Sequence, residues 1–165
     1  MAIEELDLKI LDKTGKEAVC GYLRTVSEAD CRLLFDWAND PEVRKNSFST
    51  EPIPYEIHVS WFQRKLEDSA WMMFIYMVGS EPAGQVRVEL ENGAGLISYS
   101  IAKEFRGKGY GKKMLLEIEE KLVGQVEVLN AQVKTDNKAS QFVFERLGYQ
   151  CMESDEMLVY KKWLI

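Results

Sequence analysis

Glycine, arginine and lysine crowd into one short run, Arg106-Gly-Lys-Gly-Tyr-Gly-Lys-Lys113. The run follows the apolar stretch Leu96 to Ile101. It precedes apolar positions at helical spacing: Tyr110, Met114, Leu115, Ile118 and Leu122. A strand, a glycine loop and an amphipathic helix in that order make an anion site. The first N–H groups of a helix lack intrahelical partners, and the helix dipole favours negative charge there. Gly107, Gly109 and Gly111 let the backbone approach a ligand with no Cβ in the way. Arg106, Lys108, Lys112 and Lys113 add charge suited to a phosphate. Two phosphate motifs are excluded. No Ser or Thr follows Gly111-Lys112, as a P-loop requires, and Lys112 stands where the dinucleotide fingerprint needs its last glycine. What fits is Arg-x-x-Gly-x-Gly, which by itself is equally a glycine-rich turn between a strand and a helix.

The whole chain narrows the ligand. Its 165 residues, 46% hydrophobic, predict one globular domain over 1–165. Lys+Arg 21 against Asp+Glu 27 gives a net charge of −6. An acidic chain is no general binder of nucleic acid or membrane surfaces, so the basic cluster is local, as a small anionic ligand needs. Cys20, Cys31 and Cys151 are odd in number and scattered. They form neither a disulfide framework nor a zinc spacing, which predicts a reducing cytoplasm and no metal site. The start, Met-Ala-Ile-Glu-Glu-Leu, lacks the features of a signal peptide, and no apolar run reaches membrane-spanning length.

The elements that must position the loop follow from periodicity. Leu6, Leu8 and Ile10 alternate with polar residues, and Ala18 to Val26 returns, so residues 3–24 predict a hairpin. Ser27-Glu-Ala-Asp30 resembles a capping box with Asp for Glu, and Leu33, Leu34, Trp37 and Ala38 continue it as a helix. Asn39-Asp-Pro41 breaks that helix and opens a short one through Asn46. Phe48 to Pro54 is a loop, and Tyr55 to Leu66 is helical again, with His58, Trp61 and Phe62 on one face. Trp71 to Val78 is nearly all apolar, as a strand buried on both faces. Gly79 to Pro82 turns, and Gly84 to Leu90 alternates, with Gln85, Arg87 and Glu89 sharing a side. Asn92-Gly93 marks a tight hairpin. After the loop and its helix, ended by Gly124, Val126 to Val133 is a strand. Asp136 to Leu147 is a helix with Ala139, Phe142, Val143 and Leu147 inward. Two closing strands follow. The pattern predicts an α/β (α+β) fold: a mixed, mostly antiparallel, twisted sheet with helices on both faces.

Two motifs in this order resemble the GCN5-related N-acetyltransferase superfamily, over roughly residue 18 onward. Arg106 to Gly111 matches its Arg/Gln-x-x-Gly-x-Gly/Ala loop. Asn137-Lys-Ala-Ser-Gln-Phe-Val-Phe-Glu-Arg-Leu-Gly-Tyr149 matches its second signature, Asn-x-x-Ala/Ser-x-x-x-Tyr-x-x-x-Gly-Phe. The resemblance implies acetyl-CoA as donor and a sheet splayed into a slot for it. The CoA contacts it implies are Ser100, Ile101, Arg106, Gly107, Lys108, Gly109, Tyr110, Gly111, Lys112, Asn137, Ser140 and Phe144. The pantetheine arm would pair with the strand Ser98 to Ile101. Leu34 to Ser47, Ile53, His58 to Phe62 and Gly84 to Arg87 further resemble acetyltransferases of bacterial pseudaminic acid synthesis. Those act on the 4-amino group of a nucleotide-linked amino sugar, and broader relatives act on N-terminal amines of ribosomal proteins.

Acetyl transfer needs a neutral amine, a polarised thioester carbonyl and a protonated leaving thiolate. The resemblance places a carbonyl-polarising N–H near Ile101, a basic Glu on the strand of Ile101 or a neighbour, and an acidic Tyr in the second signature. Here Leu96 and Phe144 stand at the last two places. The catalytic candidates are then Glu89, His58 and Tyr99. His58 alone has an ordinary pKa near neutrality, but beside Trp61 and Phe62 it is equally a packed histidine. Glu89 is equally a solvated strand residue, and Arg87 its ion-pair partner. Trp37, Trp61 and Phe62 read as core. Arg44, Asn46 and Arg87 are the candidates for acceptor contacts. The expectation is direct transfer to a primary amine of a small acceptor, preferably a nucleotide-linked amino sugar. A protein N-terminal acetyltransferase and a CoA-binding module without catalysis are the alternatives. A homodimer through a sheet edge stays open.

Overall fold

The structure, a computed structural model, describes residues 21–154 and 156–164. The predicted first strand through Leu6, Leu8 and Ile10 lies outside those residues, as does Cys20. The returning strand is seen from Gly21, as β1 (Gly21–Thr25). Then come α1 (Cys31–Ala38), α2 (Pro41–Asn46) and α3 (Tyr55–Glu67). The turn before α1 is held as the Asp variant of the capping box predicts. The Asp30 carboxylate accepts from the Ser27 backbone N–H at 2.8 Å, and Arg24 grips both of its oxygens. Asp40 caps α2, accepting from the N–H groups of Glu42 and Val43 at 3.0 and 3.3 Å, with Pro41 in the first helical position.

The sheet continues through β2 (Trp71–Val78), β3 (Glu81–Glu91), β4 (Ala94–Ile101), β5 (Val128–Lys134), β6 (Gln150–Glu153) and β7 (Met157–Trp163). Its spatial order is β1-β2-β3-β4-β5-β7-β6. The turn between β2 and β3 is shorter than the sequence predicts, because Glu81 and Pro82 already belong to β3. Pro82 opposes Met77, where the register shifts between Tyr76 and Met77, and this bulge accommodates its missing N–H. The Asn92-Gly93 hairpin is as predicted, with φ of 50° and 78°.

Among the described strands only β4 and β5 pair in parallel, and they pair over Ala94–Ile97 with Val128–Ala131 alone. Beyond that, β4 runs to Ile101 and β5 to Lys134 without bonding to each other. This is the predicted splay. The turn from β4 leads to α4 (Tyr110–Leu122), and β5 leads to α5 (Lys138–Arg146). Two apolar cores clamp the sheet. On one face Val86, Val88, Ile97, Leu129 and Ala131 meet Met114, Leu115, Ile118 and Leu122 of α4 and Phe144 of α5. On the other, Met73, Ile75 and Met77 meet Leu34 of α1 and Phe62 of α3. Among the described residues no helix is long and apolar enough to cross a membrane.

The inward stripe of α5 matches the prediction at Val143, packed against the core, and at Leu147, but differs at its other two positions. Gln141, Phe144 and the following Leu147 are buried, whereas Ala139 is exposed and Phe142 is 58% exposed. The physical reason is polar. The Gln141 side-chain amide donates to the carbonyls of Lys134 and Thr135 at 3.1 and 3.0 Å, satisfying the turn between β5 and α5. A pattern of apolar residues gives no weight to such a bond.

Candidate active site

The slot is made by strand geometry. The Ala102 N–H donates to the Ala83 carbonyl at 2.7 Å. By the alternation of an antiparallel ladder, Ser98 and Ser100 also turn their N–H groups toward β3, while those of Tyr99 and Ile101 face the side that β5 has left. The Ile101 carbonyl on that side accepts from Arg106 Nε at 2.9 Å. Where the slot ends, Gly107 and Gly109 adopt φ of 73° and 82°, and a Cβ at either would meet nothing within 4 Å. Gly109 caps α4 with its backbone alone, and the first helical bond runs from the Lys113 N–H to the Gly109 carbonyl. The N–H groups of Tyr110, Gly111 and Lys112 are therefore free of helical partners. At Gly111 a Cβ would come within 3.4 Å of the Tyr99 ring, so glycine permits the close approach of α4 to β4. Open strand amides leading to a bare, donor-rich helix start fit an extended amide arm ending in a pyrophosphate.

Several residues expected to hold phosphate have other work. Arg106 donates from Nη2 to Asp40 at 2.8 Å and from Nε to Ile101, so it fastens the loop to the α1–α2 junction. Burial raises the Asp40 pKa, but Arg106 and the N–H groups of Val43 and Glu42 outweigh this and hold the carboxyl below its usual value. Sequence reasoning assigned Asp40 to a break before Pro41 and missed this tie. Lys108 lies over the Phe105 ring at 5.7 Å, off the slot wall, whereas Lys112 lines it. Asn137 Oδ1 accepts from the Ser140 N–H at 3.2 Å and caps α5, leaving its amide nitrogen for a ligand.

A cavity of about 1100 Å³ lies at the splay and is lined by residues from both faces of the sheet. On the α4–α5 side it is lined by the loop, Tyr99, Ser140 and Phe144. Phe144 is 2% exposed and stacks on Tyr160, with the edges of Tyr149 and Tyr99 against it. The Tyr99 ring is 5.8 Å from that of Phe144, and its hydroxyl shares a hydrogen bond of 3.2 Å with Ser140. Burial raises the Tyr99 pKa, against a smaller opposing effect of Ser140, so the phenol keeps its proton near neutral pH. A phenol thus stands on β4 beside the ring that lacks one on α5.

On the α1–α3 side the cavity floor carries Gln85, Arg87 and Glu89 of β3, beside Ser100, Ser98 and Leu96 of β4 in register. Glu89 is the direct partner of Leu96. It therefore presents a carboxylate one strand away from the place where the resemblance expected one. Arg87 lies over Trp61 and Trp71 at 5.2 and 5.8 Å and makes no hydrogen bond or ion pair among the described residues.

Other candidates turn out to build the walls. Arg44 donates to the carbonyls of Ala38, Ser49 and Glu51 and to Ser47 Oγ, so its guanidinium shapes the 47–51 loop where it lines the cavity. Asn39 adds a two-way bond to Ile53. Asn46 lines the cavity. Phe62 is core at 2% exposure, but Trp37 and Trp61, predicted as core, are half-buried and face the cavity. His58 is 4% exposed and packs among Phe35, Trp61 and Phe62. Its Nε2–H donates to the Cys31 carbonyl at 3.0 Å.

Burial, with help from the Arg87 charge, lowers the His58 pKa, and the bond to Cys31 opposes this. The folded state then binds fewer protons than the unfolded chain just below pH ~6.5. Stability is fully present above that pH and is lost as pH falls toward the depressed value, by at most about 1.4 kcal/mol per pH unit. Thermal melts from pH 7.5 to 5.5 should show this decline, and His58→Gln should flatten it. An equally steep decline in the variant would exclude His58 as its source.

A splayed sheet with a glycine-rich helix start at its mouth has the shape a CoA-dependent acyltransferase needs. The profile of the acetyltransferase (GNAT) domain family matches residues 22–150. The chain belongs to that family, and acetyl-CoA is its acetyl donor. An acetyltransferase of Yersinia enterocolitica is 25% identical over 126 residues, covering 75% of this chain and 77% of that protein. The spermidine N-acetyltransferase of Vibrio cholerae, solved with CoA and spermine, superposes with a TM-score of 0.80 at 15% identity. The alignment covers 87% of this chain and 95% of that one. The Salmonella typhimurium enzyme that modifies the N-terminal serine of ribosomal protein L7/L12 gives 0.76 at 17% identity, over 90% and 97%.

Proposed function

We propose that this acetyltransferase transfers acetyl directly from acetyl-CoA to the primary amine of a nucleotide-linked amino sugar in the cytosol. The observation that carries the reading is the aromatic chamber on the α1–α3 face, with Trp37, Trp61 and Trp71 in its walls and Arg87 and Glu89 on its floor. It joins the slot through the splay. Acetyl-CoA supplies the activated acyl group. The N–H groups of Tyr99 and Ile101, on the open side of β4, orient it and polarise its carbonyl. Glu89 accepts one proton of the acceptor's ammonium, directly or through water, and the neutral nitrogen attacks the thioester carbonyl. As the C–S bond breaks, the Tyr99 hydroxyl gives its proton to the leaving sulfur, and the second proton shed by the acylated nitrogen passes through water to restore the phenol. The two faces of the sheet thus divide the labour, base on the acceptor side and acid on the CoA side. Neither described cysteine lines the cavity, since Cys31 faces a separate small pocket and Cys151 is exposed on β6. This supports transfer without an acyl-enzyme.

The likeness to the L7/L12 enzyme supports a second reading, in which the amine is a protein N-terminus. A thiol-release assay with acetyl-CoA separates the two. Nucleotide-linked amino sugars, free amino sugars, polyamines and serine-starting peptides are the acceptors. Turnover should be highest on the nucleotide-linked sugars, and turnover on peptides alone would sink the sugar reading.

A further inference from the structure

We propose that Arg87 is the receptor for a phosphoryl group of the acceptor, and so selects amines that carry phosphate within one sugar ring's length. The inference rests on the reading above and names the part of the acceptor that the chamber recognises. Its basis is an unanswered charge. Arg106 is held by Asp40 and the Ile101 carbonyl, and Arg44 is spent on the 47–51 loop. Arg87 shares the cavity with both and has no such partner. It sits on a central strand between β2 and β4, opposite Met73 and Ser98, with its guanidinium against Trp61 and Trp71. Burial and the Arg44 charge lower the Arg87 pKa, and the Glu89 carboxylate opposes them only through space. A guanidinium set among indoles with no hydrogen-bonded anion is costly. A ligand oxyanion would offset that cost, and the planar fork of arginine suits phosphate oxygens.

Position gives the rest. Ser98, opposite Arg87, is the first β4 residue past the last β4–β5 pair, so Arg87 stands at the mouth of the splay. Glu89 lies two residues along the same face, a spacing of about 7 Å. A carboxylate for the ammonium and a guanidinium for an oxyanion at that spacing match a pyranose with the amine at one end and a glycosidic phosphate at the other. The tryptophans flanking the guanidinium give apolar walls for the ring between them and also an optical signal.

The test uses the full chain saturated with CoA, so that the glycine loop is filled and cannot take up the probe. Uridine diphosphate, inorganic pyrophosphate and succinate are titrated while tryptophan emission and calorimetric heat are followed. The two phosphate probes should bind and perturb emission. Arg87→Gln should weaken them about 10- to 100-fold, and Arg87→Lys by less. Acetyl-CoA affinity should stay unchanged in both, which also verifies their fold. Arg87→Met, closer in shape, replaces Arg87→Gln if that variant does not fold. Absent phosphate binding, equal binding to wild type and Arg87→Gln, or a response to succinate alone would overturn the assignment. The two readings can fail separately. Arg87-dependent phosphate binding without acetylation of any nucleotide-linked amino sugar leaves the anion site standing and removes the sugar. Acetylation of such a sugar with unaltered kcat/KM in Arg87→Gln does the reverse.

Discussion

Tyr99→Phe should lower kcat by about 100- to 1,000-fold, the range of a positioned general acid, and leave the KM for acetyl-CoA nearly unchanged. The expectation rests on a substitution within the site. Phe144 occupies the helix position at which a phenol was expected and cannot donate a proton. Tyr99 places its hydroxyl at the neighbouring ring, from β4, within 3.2 Å of Ser140. Burial keeps it protonated, which a group that must deliver a proton at neutral pH requires. Removing the oxygen leaves the ring against Phe144 and costs about 1 kcal/mol of hydrogen bonding, so the variant should fold. Ser140→Ala should cost only a few-fold, because Ser140 orients the phenol and does not carry the proton. Steady-state kinetics with a saturating amine decide the matter. A Tyr99→Phe enzyme within about three-fold of wild type would mean that water protonates the leaving sulfur.

Gly109→Glu should weaken acetyl-CoA binding by at least about 100-fold, read by calorimetry. Gly109 sits at φ 82°, where a side chain is strained by about 1–2 kcal/mol. No neighbour lies within 4 Å of its would-be Cβ, so the first side-chain atom meets no steric conflict inside the protein. Gly109→Ala measures the strain alone and should cost about ten-fold. The rest of the loss in Gly109→Glu comes from placing a carboxylate where the free N–H groups of Tyr110, Gly111 and Lys112 await an anion. Equal losses in the two variants would show that charge has no part, and unchanged affinity would contradict the role of the loop.

The sheet and the donor slot were legible because their signals are local. The alternation in Gly84 to Leu90, Asn92-Gly93, and the glycines before Tyr110 each specify backbone geometry with few residues. The side-chain roles were less legible, since they depend on which elements meet. Arg44 and Arg106 have the composition of ligand contacts, yet the 47–51 loop and Asp40 claim them through contacts that no spacing reveals. Gln141 turned α5 away from the stripe that Phe142 suggested. Leu96 and Phe144 looked like losses in one dimension. In the folded chain Glu89 is the register partner of Leu96 and Tyr99 is the ring neighbour of Phe144.

The unpaired end of β4 has a consequence for self-association. A strand with open amides is a template for any passing chain, and proteins commonly defend such edges with charge, proline or a cover. Here the template must stay available for the donor that we propose pairs with it. Its protection lies in recess: the exposed amides sit between β5, the start of α4 and the Tyr99–Phe144 side of α5. A peptide strand carries side chains on alternate faces and needs room above and below the sheet. A pantetheine arm has none along most of its length. On that reading a recessed edge serves a slender chain better than the polypeptides that would polymerise along an open one.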